Sequence, residues 1–222
     1  MGKVITTSTR QEFVSHICDC IKERANHEIK IKSFFTLVLS GGRTPKAIFK
    51  ELVKNYKKNI EWKNVHLFWV DERCVSPFHD DSNYKLADDN LISKLSSSLG
   101  SVHRIKGEIN PQLAASQYEQ DIKLFFKKDE IRFDMVLLGM GDDGHVASIF
   151  PKSKELILKD RLVLATEKKY NYYYRVSLGL ELINRIKFKL LMVMGSNKNE
   201  ILKSGKLSYP INRINNMYIV NH

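Results

Sequence analysis

The sequence predicts an α/β fold: a mostly parallel, doubly wound (Rossmann-like) sheet with helices on both faces, in one domain over residues 1–222. Short apolar runs alternate with stretches of helical periodicity, the pattern of strands joined by helical crossovers. Three of the runs end in polar loops. Phe35 to Leu39 passes into Ser40-Gly41-Gly42-Arg43-Thr44-Pro45, Val65 to Val70 into Asp71-Glu72-Arg73, and Phe133 to Leu138 into Gly139-Met140-Gly141-Asp142-Asp143-Gly144-His145. Ligands of open α/β sheets sit at the carboxyl ends of the strands, so three such loops describe one sheet edge and one pocket.

Val4 and Ile5 are read as a first strand. Thr9 and Glu12 have the form of a capping box, and Phe13, Val14, Ile17 and Ile21 recur at helical spacing, giving a first helix to about Arg24. Phe34 to Leu39 is too short and too continuously apolar for a surface helix and reads as a buried parallel strand. Thr44 and Pro45 supply a cap and a first-turn proline for a helix carrying Ile48, Leu52 and Val53. A strand at Val65 to Val70, a helix around Leu86 to Leu95, a strand near His103 to Ile105 and a helix opened by Asn110 and Pro111 follow; Ala114, Tyr118, Ile122 and Phe125 form the inner face of that helix. Beyond the strand Met135 to Leu138, strands are expected at Leu162 to Thr166, Tyr172 to Val176, Phe188 to Met194 and Tyr218 to Val220, with a helix near Leu180 to Ile186.

Composition narrows the function classes. The 222 residues fit a single large core, since one core stops growing at about 250–300 residues. No apolar run approaches the roughly 18 residues of a membrane span, and the N-terminus lacks a basic-then-apolar leader, so a cytoplasmic protein is expected. Met1, Gly2 and Thr6 fit the short myristoylation pattern, but Val4 and Ile5 beside them suit a strand better. Cys18, Cys20 and Cys74 are odd in number, and two are separated by one residue, which is neither a disulfide framework nor a zinc spacing; they read as reduced thiols. The formal net charge is +11, yet the lysines are scattered over element ends and loops without interleaved aromatics. That distribution describes a solvated surface that attracts phosphorylated metabolites, not a nucleic-acid interface.

The glycine-rich loops carry the chemistry. Gly139, Gly141 and Gly144 match G-x-G-x-x-G, but Asp142 and Asp143 stand where a pyrophosphate would approach, Pro151 cuts the following helix short, and Leu164 and Ala165 replace the acidic residue expected on the next strand; a dinucleotide does not fit. The Ser40 to Pro45 loop suits a single phosphate. Gly41 and Gly42 can turn their N–H groups outward, Thr44 adds a hydroxyl, and the helix behind presents its positive end. A plain strand-to-helix turn would use the same residues, so the two similar loops beside it decide for the phosphate. Arg73 can take a phosphate bidentately, while Asp71 can accept from a sugar hydroxyl or orient a base; a mutual ion pair is the simpler alternative. His145, at a loop tip beyond a buried strand, is placed for proton transfer. The remaining histidines show no partner pattern.

Taken together, Ser40-Gly41-Gly42-x-Thr44-Pro45, Asp71-Glu72-Arg73 with Val75, Pro77 and Ser82-Asn83, and Leu138-Gly139-x-Gly141-x-Asp143-Gly144-His145-x-Ala147-Ser148-x-Phe150-Pro151 resemble the 6-phosphogluconolactonase family, within the group that includes glucosamine-6-phosphate deaminase. Arg175-Val176-Ser177 and Gly195-x-x-Lys198 are similar to its later motifs. Deaminases continue after the histidine with phenylalanine, asparagine and glutamate, where Ala147, Ser148, Ile149 and Phe150 stand here. Arg43 replaces the family's usual serine, and the chain ends at Asn221-His222 without the longer tail of many relatives.

The resemblance implies hydrolysis of 6-phospho-D-glucono-1,5-lactone without metal or cofactor. His145 is then the base that activates water, Asp71 or Asp143 orients it, and N–H groups of Gly141 to Gly144 hold the oxyanion. Ser40, Gly41, Gly42, Arg43, Thr44, Arg73, Arg175 and Lys198 surround the phosphate. The phosphorylated lactone is the only partner expected, with no nucleic acid or membrane, on a monomer or weak homo-oligomer. A deaminase-like isomerase is opposed by the residues after His145. A sugar-phosphate sensor would need a DNA-reading domain, for which the roughly 30 residues before the first core strand leave no room.

Overall fold

The computed structural model describes residues 3–95, 99–127, 130–158 and 161–222. Its centre is a seven-stranded, wholly parallel sheet. In chain order the strands are β1 (Val4–Thr6), β2 (Phe35–Leu39), β3 (Val65–Trp69), β5 (Ser101–His103), β6 (Met135–Leu138), β9 (Phe188–Val193) and β10 (Met217–Asn221), in spatial order β1-β10-β9-β6-β2-β3-β5. A smaller antiparallel sheet joins β4 (Asp71–Arg73), β8 (Arg175–Leu178) and β7 (Val163–Ala165). The helices are α1 (Arg10–Lys32), α2 (Arg43–Glu51), α3 (Asn83–Ala87), α4 (Ser93–Leu95), α5 (Pro111–Phe126), α6 (Leu180–Arg185) and α7 (Ser196–Ser204).

Every residue of β2 and β6 is buried, which explains their unbroken apolar runs. Phe13 and Ile17 of α1, Ile48 and Phe49 of α2, and Phe68 and Trp69 of β3 fill the core around them. Asp134 fixes the start of β6 against β2: its Oδ2 accepts from the Thr36 N–H and Oγ1, both at 2.9 Å, and from Lys32 at 2.8 Å, while Lys187 lies 3.0 Å from Oδ1. A buried carboxylate is retained when so paired. The chain runs outward in one direction through β2, β3 and β5 and in the other through β6, β9 and β10. The switch point therefore lies between β2 and β6, and the Ser40 and His145 loops flank it.

The capping box at Thr9 and Glu12 is formed, but α1 continues eight residues past Arg24, to Lys32. Ala25 and buried Glu28 extend its inner face, and Glu28 accepts from Lys187 at 2.9 Å; a charge on that face hides the period. Asp71-Glu72-Arg73, read as a loop, forms β4, paired with a partner about 100 residues away. The helix expected at Leu86 begins earlier, at Asn83 behind the Ser82 cap. No helix forms over residues 139–150, which make turns and isolated bridges, and a single 3-10 turn follows at Lys154–Leu156. The strand expected from Tyr172 starts at Arg175, and α7 was not anticipated. Cys18, Cys20 and Cys74 are unpaired. Met1 and Gly2 of the myristoylation pattern lie outside the described residues, as does Lys128, one of the scattered lysines.

Candidate active site

The loops after β2, β3, β6 and β9, with the start of β8, converge on one cleft with two lobes. The inner lobe, about 170 Å³, is lined by Ser40, Asp71, Arg73, Asn83, His145 and Arg175, among others. The outer, about 420 Å³, includes Arg10, Gly42, Arg43, Thr44 and Lys198. Gly41, Gly139 and Met140 border both. The expected site residues are thus brought together, but the cations are divided: Arg73 and Arg175 lie on the side of His145, Arg43 and Lys198 on the other.

His145 projects from a loop held by its own backbone. The Gly141 N–H donates to His145 O and the Gly144 N–H to Gly141 O, each at 3.0 Å. Gly144 has φ +79°, and a Cβ on Gly141 would overlap the imidazole, which lies over that glycine. The amides of Gly141 and Gly144 are therefore spent inside the loop, and of the four N–H groups from Gly141 to Gly144 expected to hold an oxyanion only those of Asp142 and Asp143 have no partner among the described residues. Asp143 Oδ1 sits 2.6 Å from His145 Nδ1 and also accepts the His145 N–H at 3.1 Å. This carboxylate fixes the ring and leaves Nε2 without a hydrogen-bond partner among the described residues. On the other side the ring packs on Phe150 at 4.6 Å between centroids, and Phe150 stacks on Tyr170 at 3.6 Å.

Asp71 does not orient His145. Its Oδ2 accepts from Ser148 Oγ at 2.6 Å, and its carbonyl from Asn83 Nδ2 at 2.9 Å. Glu72, the next residue, is structural: Oε1 accepts the N–H groups of Arg73 and Asn83, and Oε2 the Tyr84 N–H and the Ser82 hydroxyl, at 2.7–3.0 Å. Burial pushes its carboxyl above the ordinary range against the pull of these four donors. The arrangement bolts the start of α3 to β4 and sets Asn83 at the cleft. A Cβ at Gly41 would overlap the Asn83 amide, so this close approach requires glycine.

Arg73 and Arg175 face each other across β4 and β8. Neither has a carboxylate within 4.0 Å among the described residues, and the Nε of each is buried without a partner. Burial lowers the pKa of Arg175, and the nearby Asp71 charge opposes that shift. In the outer lobe, Gly42 is the N-cap of α2 with φ +106° and offers no side-chain cap. The expected cap, Thr44, lies inside the first turn, and its hydroxyl meets only Met194 Sδ, at 3.3 Å. The amino end of α2 is thus open to an anion. Lys198 stands 3.6 Å from the exposed Asp142. Ser40 Oγ is buried and unpartnered.

Several contributors carry weak sequence signals. Asn83, Ser148 and Phe150 were visible only as parts of motifs, with no role of their own, and Arg10 opens a helix with an ordinary cap. Distant pairing brings them in.

A family profile described as glucosamine-6-phosphate isomerases/6-phosphogluconolactonase matches residues 8–217. A 6-phosphogluconolactonase of Nostoc sp. is 33% identical over 208 residues, covering 89% of this chain and 85% of that one. The Haemophilus influenzae 6-phosphogluconolactonase is 34% identical over 92% of this chain and 84% of its own. The crystal structure of the Thermotoga maritima 6-phosphogluconolactonase superposes with a TM-score of 0.86 at 27% identity, covering both chains in full. The chain belongs to the glucosamine-6-phosphate isomerase/6-phosphogluconolactonase family.

Proposed function

We infer that this protein is a 6-phosphogluconolactonase, hydrolysing 6-phospho-D-glucono-1,5-lactone to 6-phosphogluconate in the oxidative pentose phosphate pathway. The observation that carries the chemistry is the Asp143–His145 pair at the switch point, beside a cleft rich in unpaired cations. A δ-lactone is an activated ester, so its hydrolysis needs a base near neutrality and stabilisation of the oxyanion. His145 Nε2 takes a proton from water as the water oxygen bonds to C1. The tetrahedral intermediate collapses with cleavage of the bond from C1 to the ring oxygen, and the imidazolium returns its proton to that oxygen. Asp143 holds the Nδ1 proton and stabilises the imidazolium. Arg73 and Arg175 supply positive charge where the oxyanion develops, a task the committed amides of Gly141 and Gly144 cannot take.

The phosphate fits the outer lobe, where the first turn of α2, Thr44, Arg43 and Lys198 meet. The hexose then bridges the waist at Gly41 and Gly139. An isomerising deaminase is opposed by Ala147-Ser148-Ile149-Phe150 after His145, where deaminases carry phenylalanine, asparagine and glutamate. Among the described residues no helix is long and apolar enough to cross a membrane.

The test compares the phosphorylated lactone, generated in situ, with unphosphorylated gluconolactone. Two charge-assisted contacts favour the phosphorylated substrate by about 100-fold in kcat/KM. No acceleration over spontaneous hydrolysis, or equal rates on the two lactones, contradicts the assignment.

A further inference from the structure

On the rim of the inner lobe, Tyr170–Tyr173 form a tight hairpin: the Tyr170 N–H donates to Tyr173 O at 2.8 Å and the Tyr173 N–H to Tyr170 O at 3.3 Å. The two turn residues, Asn171 (φ +49°) and Tyr172 (φ +72°), are both left-handed, which is costly for a residue as bulky as Tyr172. Its ring gains nothing from burial, being 87% exposed. The neighbours of the turn explain what it secures. Tyr170 O accepts from Arg175 Nη2 at 3.2 Å, and the Tyr170 ring backs Phe150, which backs His145. Tyr173 donates its hydroxyl to Asp81 Oδ2 at 2.8 Å, while the Asp81 carbonyl accepts from Arg73 Nη1 at 2.5 Å.

Arg73 and Arg175 are adjacent like charges and would splay apart without restraint. Carbonyl oxygens restrain them without neutralising them. The Asp81 carboxylate would neutralise Arg73, but it is turned onto the Tyr173 hydroxyl instead. We propose that this hairpin is a positioning element in which Tyr173 holds the Asp81 carboxylate off Arg73, so that both guanidinium groups keep their charge for the substrate. The role rests on the lactonase assignment above.

The test is Tyr173→Phe, a change at a half-buried rim residue. Freed of its donor, the carboxylate moves onto Arg73, which faces the developing oxyanion, and kcat on the phosphorylated lactone falls about fivefold, less than the roughly tenfold or more of one charge-assisted hydrogen bond lost outright, with KM within twofold and the melting temperature unchanged. Adding Asp81→Asn to Tyr173→Phe removes the charge, keeps the carbonyl and restores kcat, a rescue that a merely structural role would not give. An unchanged kcat in Tyr173→Phe, or no restoration in the double variant, overturns the proposal while wild-type turnover stands. A wild type that does not accelerate lactone hydrolysis overturns the lactonase assignment, and the hairpin's role with it.

Discussion

Asp143→Asn isolates the charge that the mechanism asks for. Asparagine Oδ1 can accept the same two hydrogen bonds, from His145 N–H at 3.1 Å and Nδ1 at 2.6 Å, so the imidazole stays aimed and only the negative charge is lost. That charge matters when His145 becomes an imidazolium, in the transition state and not in the ground state. Across 2.6 Å the attraction is about 1.6 kcal/mol at the dielectric of water and about 6 kcal/mol at an effective value of 20. The Asp143 side chain is 53% exposed and that of His145 32%, which puts the pair near the lower limit. About 2 kcal/mol corresponds to a loss of about 30-fold in kcat. KM should not change. Asp143→Ala, which also frees the ring to rotate, should lose roughly tenfold more. Steady-state hydrolysis, corrected for the spontaneous rate, reads both. A kcat for Asp143→Asn within twofold of wild type, or an alanine variant no worse than the asparagine one, refutes the reasoning.

Glu72→Gln replaces one of two acceptor oxygens with a donor, so that two of the four groups converging on this buried side chain lose their acceptor; unfolding in urea should show a loss of about 2–4 kcal/mol, and a change below 1 kcal/mol would mean that the α3 start is not held this way. Burial first, then the His103 and Lys32 charges, hold the pKa of His66 below its ordinary 6.5. The unfolded chain therefore takes up this proton first, and stability should fall as pH drops below about 6.5 through the folded value. His66→Phe, in a setting already lined by Phe34 and Phe125, should flatten the melting temperature against pH between 7 and 5, and equal slopes for the two proteins would contradict this.

The parallel sheet was legible because β2, β3 and β6 are buried and apolar along nearly all their length, and a continuous run needs no knowledge of its partners. The loops that follow were legible for the same reason. The second sheet was legible only in the runs that hold β7 and β8: Asp71-Glu72-Arg73 is short and polar, and only its pairing with Arg175 to Ser177 makes it a strand. That pairing also explains why a carboxylate as suggestive as Asp71 has a different partner from the one expected. Its neighbour in space is Ser148, 77 residues away, whereas the carboxylate that serves His145 is two residues from it in the chain. Of the donors expected from Gly141 to Gly144, the two glycine amides fail on backbone accounting, since a tight turn consumes the N–H groups at its ends. The length of α1 was obscured by Glu28, whose charge is matched by Lys187 from a distant segment.

The central claim is that His145 is the base in lactone hydrolysis, and the rate of 6-phosphogluconate formation by His145→Ala tests it most directly. With the spontaneous rate subtracted, kcat should fall by about 100- to 10,000-fold, the range of general-base catalysis, while 6-phosphogluconate still binds at the cationic cleft. Turnover by His145→Ala close to that of wild type would contradict it.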